Sequence, residues 1–242
     1  MAAEADGFTE LLASLTRLMV DEETLEDTLA RVAYLACSGP IEADNAGVTL
    51  QRERGPATAA YHGDAALPLD QAQYDDDDGP CLTAFRAGEV VVVAKVAEVA
   101  DRWPGFAASA AHHGIHSSLS LPLAVRGSVV GALNLYSSAP DAFDPRSVDL
   151  GQRFAQQAAV AISNADVYWR TFALTQNLEA ALENRDRIGQ AKGVLIATHK
   201  ITGDAAFDTL RRTSQNLNVK LRDIADYVVR TGQLPESAAD CT

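Results

Sequence analysis

The residues of this 242-residue chain that could do chemistry lie in three places. Cys81 directly follows Gly79-Pro80, where a helix is expected to begin, and exposed N–H groups at a helix start favour a thiolate. The acidic run Asp75–Asp78 beside it opposes that effect, so Cys81 is read as a sensor candidate against the plainer alternative of a small buried residue. His112 and His116 are four apart, but no Glu completes a His-Glu-x-x-His pattern, and the aspartate run lacks the spaced oxygens of a calcium loop. No metal is expected. The third place is Asn184–Tyr227, where Arg185, Arg187, Lys192, Arg211, Arg212, Lys220 and Arg222 fall on apolar-periodic segments. Such cations hold phosphates, while RNA loops offer splayed bases that stack on aromatic or guanidinium planes. A helical Lys or Arg is as often merely solvated or paired with an acid.

Charge distribution decides where nucleic acid could dock. The net charge of −13 opposes phosphate binding by the whole chain. Residues 1–172, however, hold 11 Lys/Arg against 24 Asp/Glu, whereas residues 173–235 hold 9 against 7. Three scattered cysteines, Cys37, Cys81 and Cys241, indicate reduced thiols and no disulfide framework. There is no Gly-rich phosphate loop, catalytic-triad order or kinase signature. The acidic N-terminus lacks a secretory pattern and no apolar run approaches about 20 residues, so a cytoplasmic location away from the membrane is expected.

The elements that must position these groups follow from periodicity. Phe8–Ala36 predicts an amphipathic helix or helix pair with a break at Val20–Glu23. Ala46–Gln51 and Thr58–His62 predict strands, followed by a long polar loop ending in Asp75–Pro80. Cys81–Ala87 predicts a short helix, Glu89–Val93 a strand, and Ala94–His113 interrupted helix. Ser117–Val125 and Ser128–Tyr136, split by Arg126-Gly127, predict a hairpin. Asp144-Pro145 then caps a helix with no evident stop, and the expected class is α+β, an antiparallel sheet flanked by helices. Along that helix Phe154, Ala158, Ala161, Ala165, Tyr168 and Phe172 alternate four and three apart. Leu174, Leu178, Ala181, Arg185 and Ile188 repeat the pattern in a frame slipped by one. This spacing predicts a dimeric coiled-coil connector over 150–190, against the plainer alternative of a core helix followed by an ordinary linker. Two further helices, Asp204–Asn216 and Lys220–Thr231, complete a small bundle in which Phe207, Leu210 and Ile224 are expected in the core and Gly193 permits close helix approach.

Asp78-Gly79-Pro80-Cys81, Arg102-Trp103-Pro104, Gly114-Ile115-His116-Ser117 and Gly131-Ala132-Leu133-Asn134-Leu135-Tyr136 resemble the landmarks of a GAF domain over about residues 8–170. The resemblance implies a dimerising sensor with a small-molecule ligand in its pocket. That ligand is left open, since of the Asn-Lys-Phe-Asp-Glu set of cyclic-nucleotide binders only Phe143-Asp144 is present. Ala191-Lys192-Gly193, Ala206-Phe207, Leu210-Arg211 and Leu221-Arg222-Asp223-Ile224-Ala225 resemble the ANTAR family of RNA-binding antitermination regulators over residues 173–235, with Ser214 where that family often has Ala. The resemblance implies binding of paired leader-RNA hairpins by a homodimer, and it singles out Lys192 and Arg211, which sit inside matched motifs. The expected organisation is a sensor domain at 1–170, a connector helix at 150–190 overlapping both domains, the RNA-binding bundle at 173–235 and a flexible tail at 236–242. The expected function is signal-responsive transcription antitermination without enzymatic activity. The alternatives are a DNA-binding regulator and a GAF-type enzyme such as a methionine sulfoxide reductase.

Overall fold

The computed structural model describes residues 9–11, 13–15 and 24–241, and the chain divides into two compact units, Met1–Trp169 and Arg170–Thr242. Of the expected N-terminal helix, residues 9–11 and 13–15 are helical, while Phe8, Leu12, Leu18, Met19 and the break at Val20–Glu23 lie outside the described residues. Helix α1 (Leu25–Ser38) starts at Thr24, whose hydroxyl accepts from the Asp27 N–H while Asp27 accepts from the Thr24 N–H. This reciprocal cap fixes the helix start.

The first unit is built on a five-stranded sheet of order β2-β1-β5-β4-β3, from β1 (Asn45–Arg52), β2 (Gly55–His62), β3 (Val91–Val93), β4 (Ser117–Val125) and β5 (Ser128–Ser137). Every pairing is antiparallel. Arg126 and Gly127 both have positive φ, 51° and 82°, the backbone that a two-residue hairpin needs to match the strand twist. Period-two alternation sends Leu119, Leu121, Leu123, Leu133 and Leu135 to one face, where they pack with Leu29 and Val32 of α1 and with Phe154, Ala158 and Ile162. Each such side chain contributes roughly 1.5–3 kcal/mol when buried. The opposite face carries Thr49, Ser118, Ser120, Asn134 and Tyr136, all buried. It is covered by helices α2 (Ala66–Asp75), α3 (Pro80–Ala87) and α4 (Pro104–His112).

Helix α2 corrects the expected polar loop. Its buried positions are Ala66, Leu69, Asp70 and Gln73, so half of its inward face is polar and no apolar stripe announces it. Pro68 is tolerated because it falls in the first turn, where the backbone N–H needs no helical partner.

The long helix is α5 (Pro145–His199), 55 residues, capped by Asp144, which accepts from the Ser147 N–H at 2.7 Å. Its burial corrects the predicted seam. Phe154 and Ala158 lie in the first unit's own core and Ala161 is also buried, so these positions are occupied by the sheet and helices of the same chain. Ala165 is half-buried, whereas Tyr168, Phe172 and Leu178 are exposed. The change from core-facing to outward-facing positions thus falls within the first frame, after Ala161, and not at the frame slip.

In the second unit the C-terminal part of α5 packs with α6 (Gly203–Leu217) and α7 (Leu221–Thr231). Ala191, Leu195, Ala206, Leu210, Ile224, Ala225 and Val228 form its buried core. Thr202 caps α6 by accepting from the Ala205 N–H, and Asn218 in left-handed backbone ends it. Ser214 donates to the Val219 carbonyl at 2.6 Å, so the hydroxyl that departs from the ANTAR pattern closes the α6–α7 turn. Among the described residues no helix is long and apolar enough to cross a membrane.

Candidate nucleic-acid interface and sensor core

The seven basic candidates of the second unit separate by partner. Arg187 pairs with Asp226 at 3.1 Å, Arg211 with Asp208 at 2.9 Å and Arg222 with Asp223 at 3.2 Å. All three pairs are solvent-exposed, and such pairs contribute about 0–1 kcal/mol, so a phosphate can displace them. Arg185, Lys192, Arg212 and Lys220 make no ion pair among the described residues. Arg185, Arg212 and Lys220 are exposed and Lys192 is half-buried.

Arg185 and Lys192 meet in one place. A groove of about 570 Å³ is lined by Ala181, Asn184, Arg185, Ile188, Gly189, Lys192 and Phe207, with no acidic side chain in its lining. The Lys192 ammonium lies 5.9 Å from the centre of the Phe207 ring. Phe207 was expected in the core but is 37 % exposed, because Ala206 and Leu210 occupy the inward positions of α6. Leu210 and Ile224 are buried as expected. Gly193 does not admit a neighbouring helix; it is exposed, and a Cβ built there or at Gly189 meets nothing within 4 Å. Sequence reasoning missed Phe207, Asn184 and Gly189 as groove residues. No sequence signal separated Phe207 from the core set, since adjacent helical residues can both be buried, as Ile224 and Ala225 are.

In the first unit Cys81 is fully buried. Its N–H donates to Gln73 Oε1 at 2.8 Å, which takes up the helix-start donor expected to favour a thiolate. The sulfur sits 3.0 Å from Asn134 Nδ2 and 3.3 Å from Thr49 Oγ1. Burial first, and then the nearby Asp70 carboxyl, push its pKa up to about 12. The acid that matters is therefore Asp70. It is buried, and accepts from Tyr136, from Thr58 at 2.8 Å and from Asn134 at 3.0 Å. Burial raises its pKa to about 6 against these three donors. Gly47 makes room for it, since a Cβ there would lie 2.3 Å from Asp70 Oδ2. Asn134 Oδ1 and the hydroxyls of Ser118 and Ser120 are buried beside this network without partners among the described residues.

The aspartate run holds a loop together. Asp77 pairs with Arg86, and Asp78 accepts from Trp103 Nε1 at 3.2 Å. Among the described residues no three metal-ligating side chains cluster, and His113 Nδ1 lies 2.8 Å from the Ser109 carbonyl oxygen.

A family model of the GAF domain matches residues 22–163, and one of the ANTAR domain matches residues 176–229. The chain belongs to the GAF family and carries an ANTAR domain. This is the architecture of a regulator with a sensory domain and an RNA-binding antitermination output. The fold agrees. The GAF domain of an Acinetobacter phosphoenolpyruvate-protein phosphotransferase is 15% identical with a TM-score of 0.52, covering 69% of this chain and 96% of that one. The free methionine-R-sulfoxide reductase of Neisseria meningitidis, in complex with its substrate, is 21% identical with a TM-score of 0.52, covering 66% and 91%. The phycoerythrobilin-bound GAF domain of a cyanobacterial phytochrome is 16% identical with a TM-score of 0.51, covering 66% and 97%. At these identities the likeness is one of fold. A search of curated proteins found no match.

Proposed function

We propose that this GAF–ANTAR protein binds paired hairpins in leader RNA through the groove face of its ANTAR domain, as a homodimer, under control of a small molecule taken up by the GAF domain. The observation that carries the reading is the acid-free groove in which Arg185 and Lys192 stand without ion-pair partners beside an exposed aromatic ring. A phosphate chain needs unneutralised cations, and single-stranded loops need a stacking surface.

A helix-turn-helix reading on DNA is less favoured by α7. Its two arginines are Arg222, paired with Asp223, and Arg230, which lies 5.9 Å from the Tyr227 ring. It lacks the row of basic residues a recognition helix presents to a major groove. A reductase reading needs an accessible thiolate, and burial holds Cys81 as the neutral thiol. For pairing, Phe172, Leu174, Leu178 and Leu182 form an exposed apolar set on α5 that a second copy would cover. The sensor side rests on the buried polar sheet face, where Asn134, Ser118 and Ser120 keep unused hydrogen-bonding atoms.

Crosslinking the intact protein to RNA and sequencing the captured fragments tests the reading. Leaders with two adjacent hairpins are expected to be enriched, and the enrichment is expected to fall in Lys192→Ala. Capture no different from a non-binding control would overturn it.

A further inference from the structure

The groove contains two groups that phosphate binding alone does not use. Phe207 presents 37 % of its surface to solvent, and Asn184 lines the groove together with Arg185. The exposed part of the Phe207 ring is apolar area that an occupant of the groove would bury. Lys192 covers it in part, with its ammonium 5.9 Å from the ring centre. The volume of about 570 Å³ falls within the usual range of ligand pockets, roughly 300–1,000 Å³. Gly189 leaves the wall open, since a side chain there would meet nothing within 4 Å.

A second copy of the chain is the competing occupant, because Ala181, Arg185 and Ile188 also continue the four-three spacing of α5. Two such grooves brought together would set Arg185 and Lys192 against their own kind with no acid in the lining. An anionic occupant with a flat apolar face meets all the groups at once.

We propose that the groove holds one unstacked nucleobase against the Phe207 ring, with the adjoining phosphates on Lys192 and Arg185 and the base edge on the Asn184 amide. This rests on the RNA-binding reading and adds the site at which a single base is recognised. As the base enters, Lys192 leaves the ring face for a phosphate, exchanging a weak cation–π contact for a charge-assisted one. The Asn184 amide ends in one acceptor and one donor group, so it pairs with a base edge that displays the complementary set and discriminates among bases.

The test begins with tandem-hairpin RNAs whose loops are randomised, from which the full chain selects a binder. Each loop nucleotide of that binder is then replaced in turn by an abasic one. One position is expected at which the abasic RNA binds about tenfold more weakly, the scale of a base–aromatic stack. Phe207→Ala should lose a similar factor on the intact RNA, and combining it with the abasic RNA should cost little more than either change alone. Phe207→Trp should retain binding. Phe207→Leu keeps apolar bulk without the π face and should behave as Phe207→Ala, which covers the case in which the smaller residue disturbs the bundle. Asn184→Ala should relax preference at that loop position. Binding by Phe207→Leu within twofold of the parent, or losses that multiply with every abasic position, would overturn the base site while leaving RNA binding intact. A parent protein that selects no RNA from the pool would overturn the RNA-binding reading itself.

Discussion

At the scale of residues the chain's chemistry lies away from its most conspicuous motif. Cys81 looks poised at a helix start, yet it is enclosed by Gln73, Thr49 and Asn134 and held as a thiol. Cys37 is likewise pushed up to about 12, by burial and then by the neighbouring Asp44 charge. In a Cys241→Ser variant, the folded protein should therefore show no fast thiol toward an aromatic disulfide at pH 8, and two after denaturation; rapid labelling of Cys81 would contradict the burial argument. Asp70 gives a second prediction. Its folded pKa, about 6, lies above the ordinary 3.8, so the folded state binds the proton more tightly than the unfolded chain. This contribution destabilises the fold above pH 6 and vanishes below the ordinary value. Urea midpoints of the GAF unfolding transition should rise from pH 7.5 to pH 5.5, and Asp70→Asn should flatten that rise. Equal slopes in parent and variant would contradict it. Cys81, Asn134 and Tyr136 stood in motifs the sequence offered, but their convergence on Asp70 was not legible, because Asp70 lies in a segment read as loop and Asn134 is 64 residues from it and 85 from Thr49.

At the scale of elements, apolar periodicity found the β4–β5 hairpin and the helices α6 and α7 within a residue at each end, and Asp144-Pro145 marked the start of α5, whose end at His199 had no stop signal. It failed at α2, whose buried Asp70 and Gln73 serve hydrogen bonds, and it merged two faces of α5 into one seam. Heptad spacing cannot tell a face that meets its own sheet from one that meets another chain. The bundle allows a sharp contrast. Leu210→Ala should destabilise it by about 2–5 kcal/mol through the cavity it leaves. Gly193→Ala should stabilise it by about 0.5–1 kcal/mol, since the site is exposed mid-helix with nothing near. Urea unfolding followed by helical circular dichroism reads both, and a destabilised Gly193→Ala would show that the helix is more constrained there than its open surroundings indicate.

At the scale of the whole molecule, charge and aromatic exposure divide the labour: an acidic GAF unit with a buried polar sheet face, and an ANTAR unit in which two unpaired cations, Arg185 and Lys192, line a groove. If two copies pair along α5, Leu174→Glu with Leu178→Glu should convert a dimer to a monomer in light scattering, and an unchanged mass would remove that seam. The partition of charge was readable in the sequence, whereas the groove needed the packing of α6 on α5. The most direct measurement of the central claim is competition of a selected two-hairpin RNA against duplex DNA at stepped salt, for the parent and Lys192→Ala. The account predicts preference for RNA, and a salt slope smaller by about one in the variant, the loss of one phosphate contact. Preference for DNA, or an identical slope and affinity in Lys192→Ala, would contradict it.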